Sequence, residues 1–219
     1  MIGIDMDWGL IGIATLDTVR MTGWSLFLSV VIGLPLGVYL FLSGEGQPLQ
    51  NRFLYQGLSV VVNVLRSVPF IILLILLIPF TRLVAGTSLG VPGAIPPLVV
   101  GTAPFFARLV ENLLRELDPG IMEGCRAMGA NTRQTIFYTL LPEATTGLIG
   151  ATVVTAIVLI SYSAMSGVIG GGGLGDVAIR YGYQRYQTDV MFTTVAILVV
   201  MVQAIQMVGD FLVSKLNRR

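Results

Sequence analysis

Five long apolar segments alternate along the chain with polar segments that are rich in glycine and proline. A helix needs about 20 apolar residues to cross the hydrocarbon core of a bilayer, where every backbone amide must be satisfied within its own helix. The pattern therefore predicts an all-α membrane protein with five transmembrane helices. The predicted spans are residues 22–42, 58–80, 94–110, 147–169 and 190–213.

The segment before the first span is short, contains glycine, and carries Asp5, Asp7 and Asp17 ahead of its first cation, Arg20. A cleavable secretory signal has basic residues before its apolar core, so none is predicted. We expect residues 1–14 to form an extracytoplasmic lead-in helix at the membrane interface. Residues 15–210 are then the transmembrane domain, with a long cytoplasmic loop at 111–146, and residues 211–219 are a cytoplasmic tail.

The positive charges predict the orientation, because cytoplasmic loops carry an excess of Lys and Arg close to the spans. Eight such residues fall on one side of the predicted membrane and three on the other. The richer side is therefore expected to be cytoplasmic, with the N-terminus outside and the C-terminus inside. The eight are Arg52, Arg108, Arg115, Arg126, Arg133, Lys215, Arg218 and Arg219, and the three are Arg82, Arg180 and Arg185.

Composition excludes several functions. The chain is 54% hydrophobic and 11% charged, with a formal net charge of +1, so it has no basic excess for a nucleic acid. It contains no histidine and a single cysteine, Cys125. Disulfide frameworks, zinc sites and Cys–His nucleophiles are excluded, and no cofactor is predicted.

The sequence contains neither an ATP site nor an ion relay. A P-loop needs a lysine after its glycines, but the only lysine is Lys215, far from the glycine run at residues 170–173. That run is interpreted as a turn that allows close backbone approach. Arg66 is the only charge deep in a predicted span, about 12 Å along a helix that begins at residue 58. It either extends to the interface or binds a carbonyl freed by Pro69.

The cytoplasmic loop at 111–146 predicts two short helices that meet at a glycine. Asp118 is suited to cap a helix that begins at Pro119, and Gly129 is suited to end it in a left-handed conformation. Asn131 and Gln134 have the spacing of a capping box for a second helix, which we expect to end before Pro142.

The first of these helices carries an apolar stripe made by Ile121, Cys125 and Met128, which are spaced at i, i+4 and i+7. Such a stripe must pack on another surface. That surface is either the chain's own helical bundle or a partner protein, and the pattern does not distinguish them.

The spacing from Glu123 to Gly129 to Leu141 and Pro142 resembles the Glu-Ala-Ala loop of permease subunits in binding-protein-dependent ABC importers. Small residues replace the two alanines, and Thr139 replaces an isoleucine. In that family the first helix of the loop couples the permease to a separate ATPase. The resemblance implies that the coupling residues are Glu123, Gly124, Cys125, Gly129, Leu141 and Pro142.

The resemblance covers residues 15–210 and is strongest to methionine-uptake permeases, through text such as GTAPFFARLVEN and SYSAMSGVIGGGGLG. It implies a type I ABC importer transmembrane domain of five helices in the bacterial inner membrane, surrounded by membrane lipids. The implied partners are a second copy of the chain, two ATPase subunits, and an extracytoplasmic methionine-binding lipoprotein or periplasmic binding protein. The permease itself is then not an enzyme.

The fourth predicted span has one polar helix face, which includes Tyr162, Ser163 and Ser166 with Met165 beside it. Its hydroxyls either line a pathway or bond back to their own helix. The resemblance assigns Tyr162 and Met165 to the translocation pathway, and we predict Ser163 and Ser166 beside them. Open alternatives are a permease for another small amino acid or short peptide, an autonomous channel or carrier, and a membrane scaffold without a pathway.

Overall fold

The computed structural model describes residues 7–216, and this part of the chain is almost entirely helical. Four helices are long and apolar enough to cross a membrane, and a bent pair of shorter helices is a candidate fifth span. In chain order the helices are α1 (Trp8–Ser43), α2 (Arg52–Ser67), α3 (Phe70–Leu76), α4 (Ile78–Ala85), α5 (Gly90–Arg115), α6 (Pro119–Ala127), α7 (Thr132–Gln134), α8 (Leu141–Glu143), α9 (Thr145–Ser166), α10 (Gly173–Val177) and α11 (Thr188–Leu216).

Helix α1 begins earlier than predicted. It runs without a break for 36 residues, about 54 Å at 1.5 Å per residue. Residues 7–14 are its cap and first turns, so they do not form a separate lead-in helix, and residues 1–6 lie outside the described residues. The helix continues here because Ile11 and Ala14 are buried against Leu174 and Val177 of α10, which outweighs the helix-weakening glycines.

The second predicted span is not one straight helix. Helix α2 ends at Ser67, and α3 leaves it at an angle of 103°. Val68 is extended, with ψ 126°, because the ring of the following Pro69 disfavours a helical residue before it. The prediction of a continuous span over residues 58–80 is therefore wrong, and its continuation α3 packs Phe70 and Leu74 inside the bundle.

The main helix pair is α1 against α5, and small residues bring the two backbones together. A Cβ on Gly33 would lie 2.7 Å from the carbonyl oxygen of Ala103, and one on Gly37 would overlap the carbonyl of Ala107. The hydroxyls of Ser29 and Thr102 are hydrogen-bonded across the same interface at 2.6 Å. This is the small-residue packing and polar bonding by which membrane helices associate without a hydrophobic driving force.

The glycine run after α9 allows close approach of the backbone, as predicted. Gly173 has φ +75°, and a Cβ on it would lie 2.6 Å from the hydroxyl oxygen of Thr18. The backbone N–H of Leu174 donates to that same hydroxyl at 2.8 Å. The residues between the fourth and fifth predicted spans, 170–189, were expected to form a loop. They instead contain α10 and a π-helical turn at Ala178–Tyr183.

Candidate coupling and pathway sites

The predicted corner between two short cytoplasmic helices is present. The Asp118 carboxylate accepts from the N–H of Gly120 at 2.8 Å and caps α6, whose first residue is Pro119. Gly129 has φ +72°, and the N–H of Ala130 donates to the carbonyl of Cys125 at 3.0 Å. This left-handed residue ends the helix in the way that glycine favours.

The helix after the corner is longer than predicted. Its capping box forms as expected, with both reciprocal hydrogen bonds between Asn131 and Gln134. It does not end before Pro142, because a π-helical turn at Thr135–Leu140 leads directly into α8. Pro142 lies near the start of α8, directly after the π-helical turn.

The apolar stripe of α6 is divided between two faces. Cys125 is 3% exposed and is buried within its own chain, where its thiol donates to the Thr139 hydroxyl at 3.4 Å. Met128 is 80% exposed. The expectation of one stripe from Ile121 to Met128 is corrected, because α6 instead packs Met122 into the core around Leu140 and buries Cys125 beside Thr139. Cys125 and Thr139, which are two of the three residues that depart from the resembled loop pattern, thus contact each other.

An outward surface remains around the corner, and we call it the coupling surface. From α6 and its end it contains Glu123, Gly124 and Met128, which are all exposed. From the following helix it contains Phe137 and Tyr138, at 64% and 81% exposed. These two aromatics were not predicted from the sequence. The available signal was that two large aromatic residues stand next to each other within the loop motif. Of the other predicted coupling residues, Leu141 is half-buried and Pro142 is exposed.

A buried ion cluster anchors the loop end of α5, and the sequence analysis missed it too. The Glu111 side chain is 1% exposed and accepts from Arg108 at 2.6 Å and Arg115 at 2.9 Å. The Tyr55 hydroxyl donates to the same carboxylate at 3.2 Å. Arg108 also donates to Ser59 and Asn63 of α2. The available signal was the i−3 and i+4 placement of the two arginines around Glu111.

Of the four predicted pathway residues, Tyr162 is half-buried beside a core cluster and Met165 is exposed. The Tyr162 ring is stacked on that of Phe70, with centroids 4.1 Å apart and planes 4° apart, and borders a cavity. Met165 is 45% exposed. The structure thus brings an aromatic ring and a thioether to one side of α9.

The other two predicted pathway residues face inward. Ser163 and Ser166 are 1% and 0% exposed, and each hydroxyl donates at 2.7 Å to a carbonyl three residues earlier in the chain. Ser166 also contacts the sulfur of Met21 at 3.7 Å. Their predicted place on an accessible face is corrected, because a hydroxyl that donates to its own helix can be buried inside the bundle.

No group of three or more metal-ligating side chains lies together among residues 7–216. The accessible surfaces described above carry aromatic, thioether and charged side chains. Such groups bind and release a ligand or a protein surface without covalent change.

Comparisons with known proteins show which family the chain resembles over most of its length. The chain is 46% identical over 212 residues to the Probable D-methionine transport system permease protein MetI of Pasteurella multocida, covering 97% of this chain and 98% of that one. It is 45% identical over 180 residues to the Methionine import system permease protein MetP of Bacillus subtilis, covering 82% and 81%.

A solved structure described as inward-facing conformations of the MetNI methionine ABC transporter superposes with a TM-score of 0.95, at 47% identity over 97% of this chain and 98% of that chain. Residues 29–219 match the family described as "Binding-protein-dependent transport system inner membrane component". The fold is accordingly a type I ABC transporter transmembrane domain. This chain belongs to the family of binding-protein-dependent transport system inner membrane components.

Proposed function

We propose that the chain is the permease subunit of an ATP-driven importer and forms the membrane pathway for methionine, in its L and D forms. The observation that carries this proposal is the likeness over 97% of the chain, at 46–47% identity, to permeases named for methionine. The substrate is proposed from those relatives, whereas the residue roles are proposed from the family resemblance, and the exposure of the side chains in this chain supports them. ATP hydrolysis belongs to a separate subunit.

Tyr162 and Met165 are the proposed pathway residues. Both are accessible on one side of α9, and both offer contacts that suit a thioether side chain. Contacts between sulfur and aromatic rings contribute only about 0.3–1.5 kcal/mol each, so a ligand held by them is released readily. A pathway needs that weak binding, and high affinity is assigned to the extracytoplasmic binding protein.

The coupling surface is the proposed contact with the ATPase. Its exposed Met128, Phe137 and Tyr138 are large apolar side chains on a short helical corner rather than within a span. The corner itself is held rigidly, because α6 packs inward through Met122 and Cys125, and Arg126 donates to the carbonyl of Gly46 at 2.8 Å. A rigid apolar corner transmits movement between a docked partner and the membrane helices.

The proposed topology has five crossings, with the N-terminus outside and the C-terminus in the cytoplasm. It counts the bent pair α2 and α3 as one crossing beside α1, α5, α9 and α11. It also agrees with the excess of Lys and Arg around the coupling surface. Two copies then enclose one pathway, with one ATPase subunit beneath each.

Copurification tests the coupling assignment. A tagged chain purified in mild detergent from its native cells should carry an ATPase at a ratio of two to two, measured by native mass spectrometry. Glu123→Arg on the coupling surface should remove the ATPase, and Glu116→Arg, an equally exposed acid just after α5, should retain it. Equal recovery of ATPase by both variants would exclude the coupling surface as the docking site.

A further inference from the structure

Arg66 lies at the bend between α2 and α3, well inside the predicted membrane. It is 14 residues after Arg52, the first residue of α2, which places it about 21 Å along that helix. Its guanidinium lies over the ring of Phe105, 5.8 Å from the centroid. It makes no hydrogen bond to a carbonyl near Pro69, so neither the bend nor an ion pair within residues 7–216 accounts for its charge.

The carboxylates of the neighbouring helices are already occupied. Glu111 of α5 is bound between Arg108 and Arg115, and Asp17 of α1, the other long helix that contacts α2, is paired with Arg20. An arginine at membrane depth faces a water-filled cavity or a counter-charge, because exposure of its charge to hydrocarbon is costly. The Arg66 side chain is exposed in the single chain and has no carboxylate partner among residues 7–216, so its charge requires an aqueous or ligand-filled surface.

Such a surface is present as a cavity of about 250 Å³ beside the guanidinium. Phe70, Phe105 and Tyr162 supply its aromatic walls, and Arg66 is the charged side chain among its lining residues. Gly101 keeps one wall open, because a Cβ there would lie 3.3 Å from the Phe70 ring. The cavity thus combines one cation with apolar, polarizable walls, and it includes the proposed pathway residue Tyr162.

We propose that Arg66 and this cavity form a subsite for the α-carboxylate of an amino acid in transit. A guanidinium binds a carboxylate through two parallel N–H donors, which matches the one group that every free amino acid carries. The rings of Phe70 and Tyr162 then contact the side chain of the ligand. The assignment rests on the proposed transport function and adds to it a specific recognition of the substrate's negative charge.

Charge-selective labelling tests the subsite without transport. Leu65 lines the cavity, so a Leu65→Cys variant in a Cys125→Ser background places one thiol there. In the purified full-length chain in lipid nanodiscs, the ratio of the rates at which that thiol reacts with a negatively and a positively charged methanethiosulfonate should exceed the ratio for a free thiol in solution. Arg66→Gln should lower the ratio of the two rates by at least about three-fold, because a charge within about 8 Å changes the local potential for both reagents in opposite directions.

Arg66→Lys, which preserves the charge, should retain the ratio, and Arg52→Gln at the far end of α2 should not change it. A symmetric gel-filtration peak for each variant establishes that it is folded. A ratio that Arg66→Gln leaves unchanged overturns the subsite.

Uptake by the complex with its ATPase separates this subsite from the proposed function. If Arg66→Gln lowers methionine uptake at least about ten-fold while Arg66→Lys restores part of it, both stand, since loss of a charged hydrogen bond has this size. Full methionine uptake by Arg66→Gln removes the subsite and leaves the function intact. If the wild-type complex moves another amino acid but not methionine, the proposed substrate is wrong. The subsite is still supported in that case if Arg66→Gln lowers the ratio of the two labelling rates.

Discussion

Replacement of Glu111 by glutamine should destabilise the chain through Arg108. Glutamine preserves the size of the side chain but removes the charge that neutralises an arginine whose side chain is only 14% exposed. It also presents an amide N–H₂ to one of the two arginines, which can only donate. One buried guanidinium is then left without an acceptor for its shortest hydrogen bond.

The size of the effect follows from burial. Removal of one partner from a buried pair costs about 3–5 kcal/mol, and the half-exposed Arg115 adds about 0–1 kcal/mol. For a chain of this size each kcal/mol lowers the melting temperature by about 2–4 °C. At the lower limit of about 3 kcal/mol, and with about 2–4 °C for each kcal/mol, we expect Glu111→Gln to melt about 6–12 °C below the wild type.

Cys125 provides the assay, because it is the only thiol in the chain and is buried. A maleimide dye that fluoresces on reaction should label it as the protein is heated in detergent, and the midpoint gives the melting temperature. Glu116→Gln is the matched control, since that exposed acid lies outside the cluster and should shift the midpoint by less than about 2 °C. Adding Arg108→Gln to Glu111→Gln should recover part of the loss. A midpoint for Glu111→Gln within about 2 °C of the wild type would refute the role of this ion cluster.

Three further substitutions test the packing, the corner and the pathway. Gly37→Ala should lower the melting temperature by separating α1 from α5. Gly23→Ala, where a Cβ meets nothing within 4 Å, should leave the melting temperature unchanged or raise it. Equal shifts in the two variants would contradict the close packing. Gly129 has φ +72°, which a β-branched residue does not adopt without strain, so Gly129→Val should abolish ATP-driven uptake at normal membrane abundance. Gly129→Asn should retain most of the uptake, because asparagine tolerates this conformation. Full uptake by the valine variant would show that the corner plays no part in the mechanism. Met165→Ala and Tyr162→Phe should change the ratio of methionine to norleucine uptake, measured by competition per unit of membrane protein. An unchanged ratio in both variants would indicate that these residues only pack against their neighbours.

Local patterns predicted the local features of this chain well. The cap at Asp118, the capping box at Asn131 and the left-handed Gly129 depend on neighbouring residues, and each is present. The close approach at Gly173 also follows from a local run of glycines. Hydropathy located four long helices, although α1, α5 and α11 extend beyond the predicted boundaries.

Features that depend on distant residues were not predictable in this way. Cys125 is buried because it contacts Thr139, and the same helix face packs Met122 into the core around Leu140. The spacing of apolar residues along α6 carries no information about these distant partners. The burial of Ser166 depends on packing against Met21 of α1, which is 145 residues away in the sequence. The 103° bend at Pro69 had a local signal, but hydropathy alone treated the segment as continuous.

The central claim is that this chain forms a pathway for methionine and draws its energy from a separate ATPase. The most direct test is uptake of radiolabelled methionine into proteoliposomes that contain the purified chain, with the ATPase, the binding protein and ATP supplied or omitted one at a time. Concentrative uptake should require all of them and should stop when a non-hydrolysable ATP analogue replaces ATP. Methionine uptake by the chain alone, driven by an ion gradient and indifferent to the ATPase, would contradict the account.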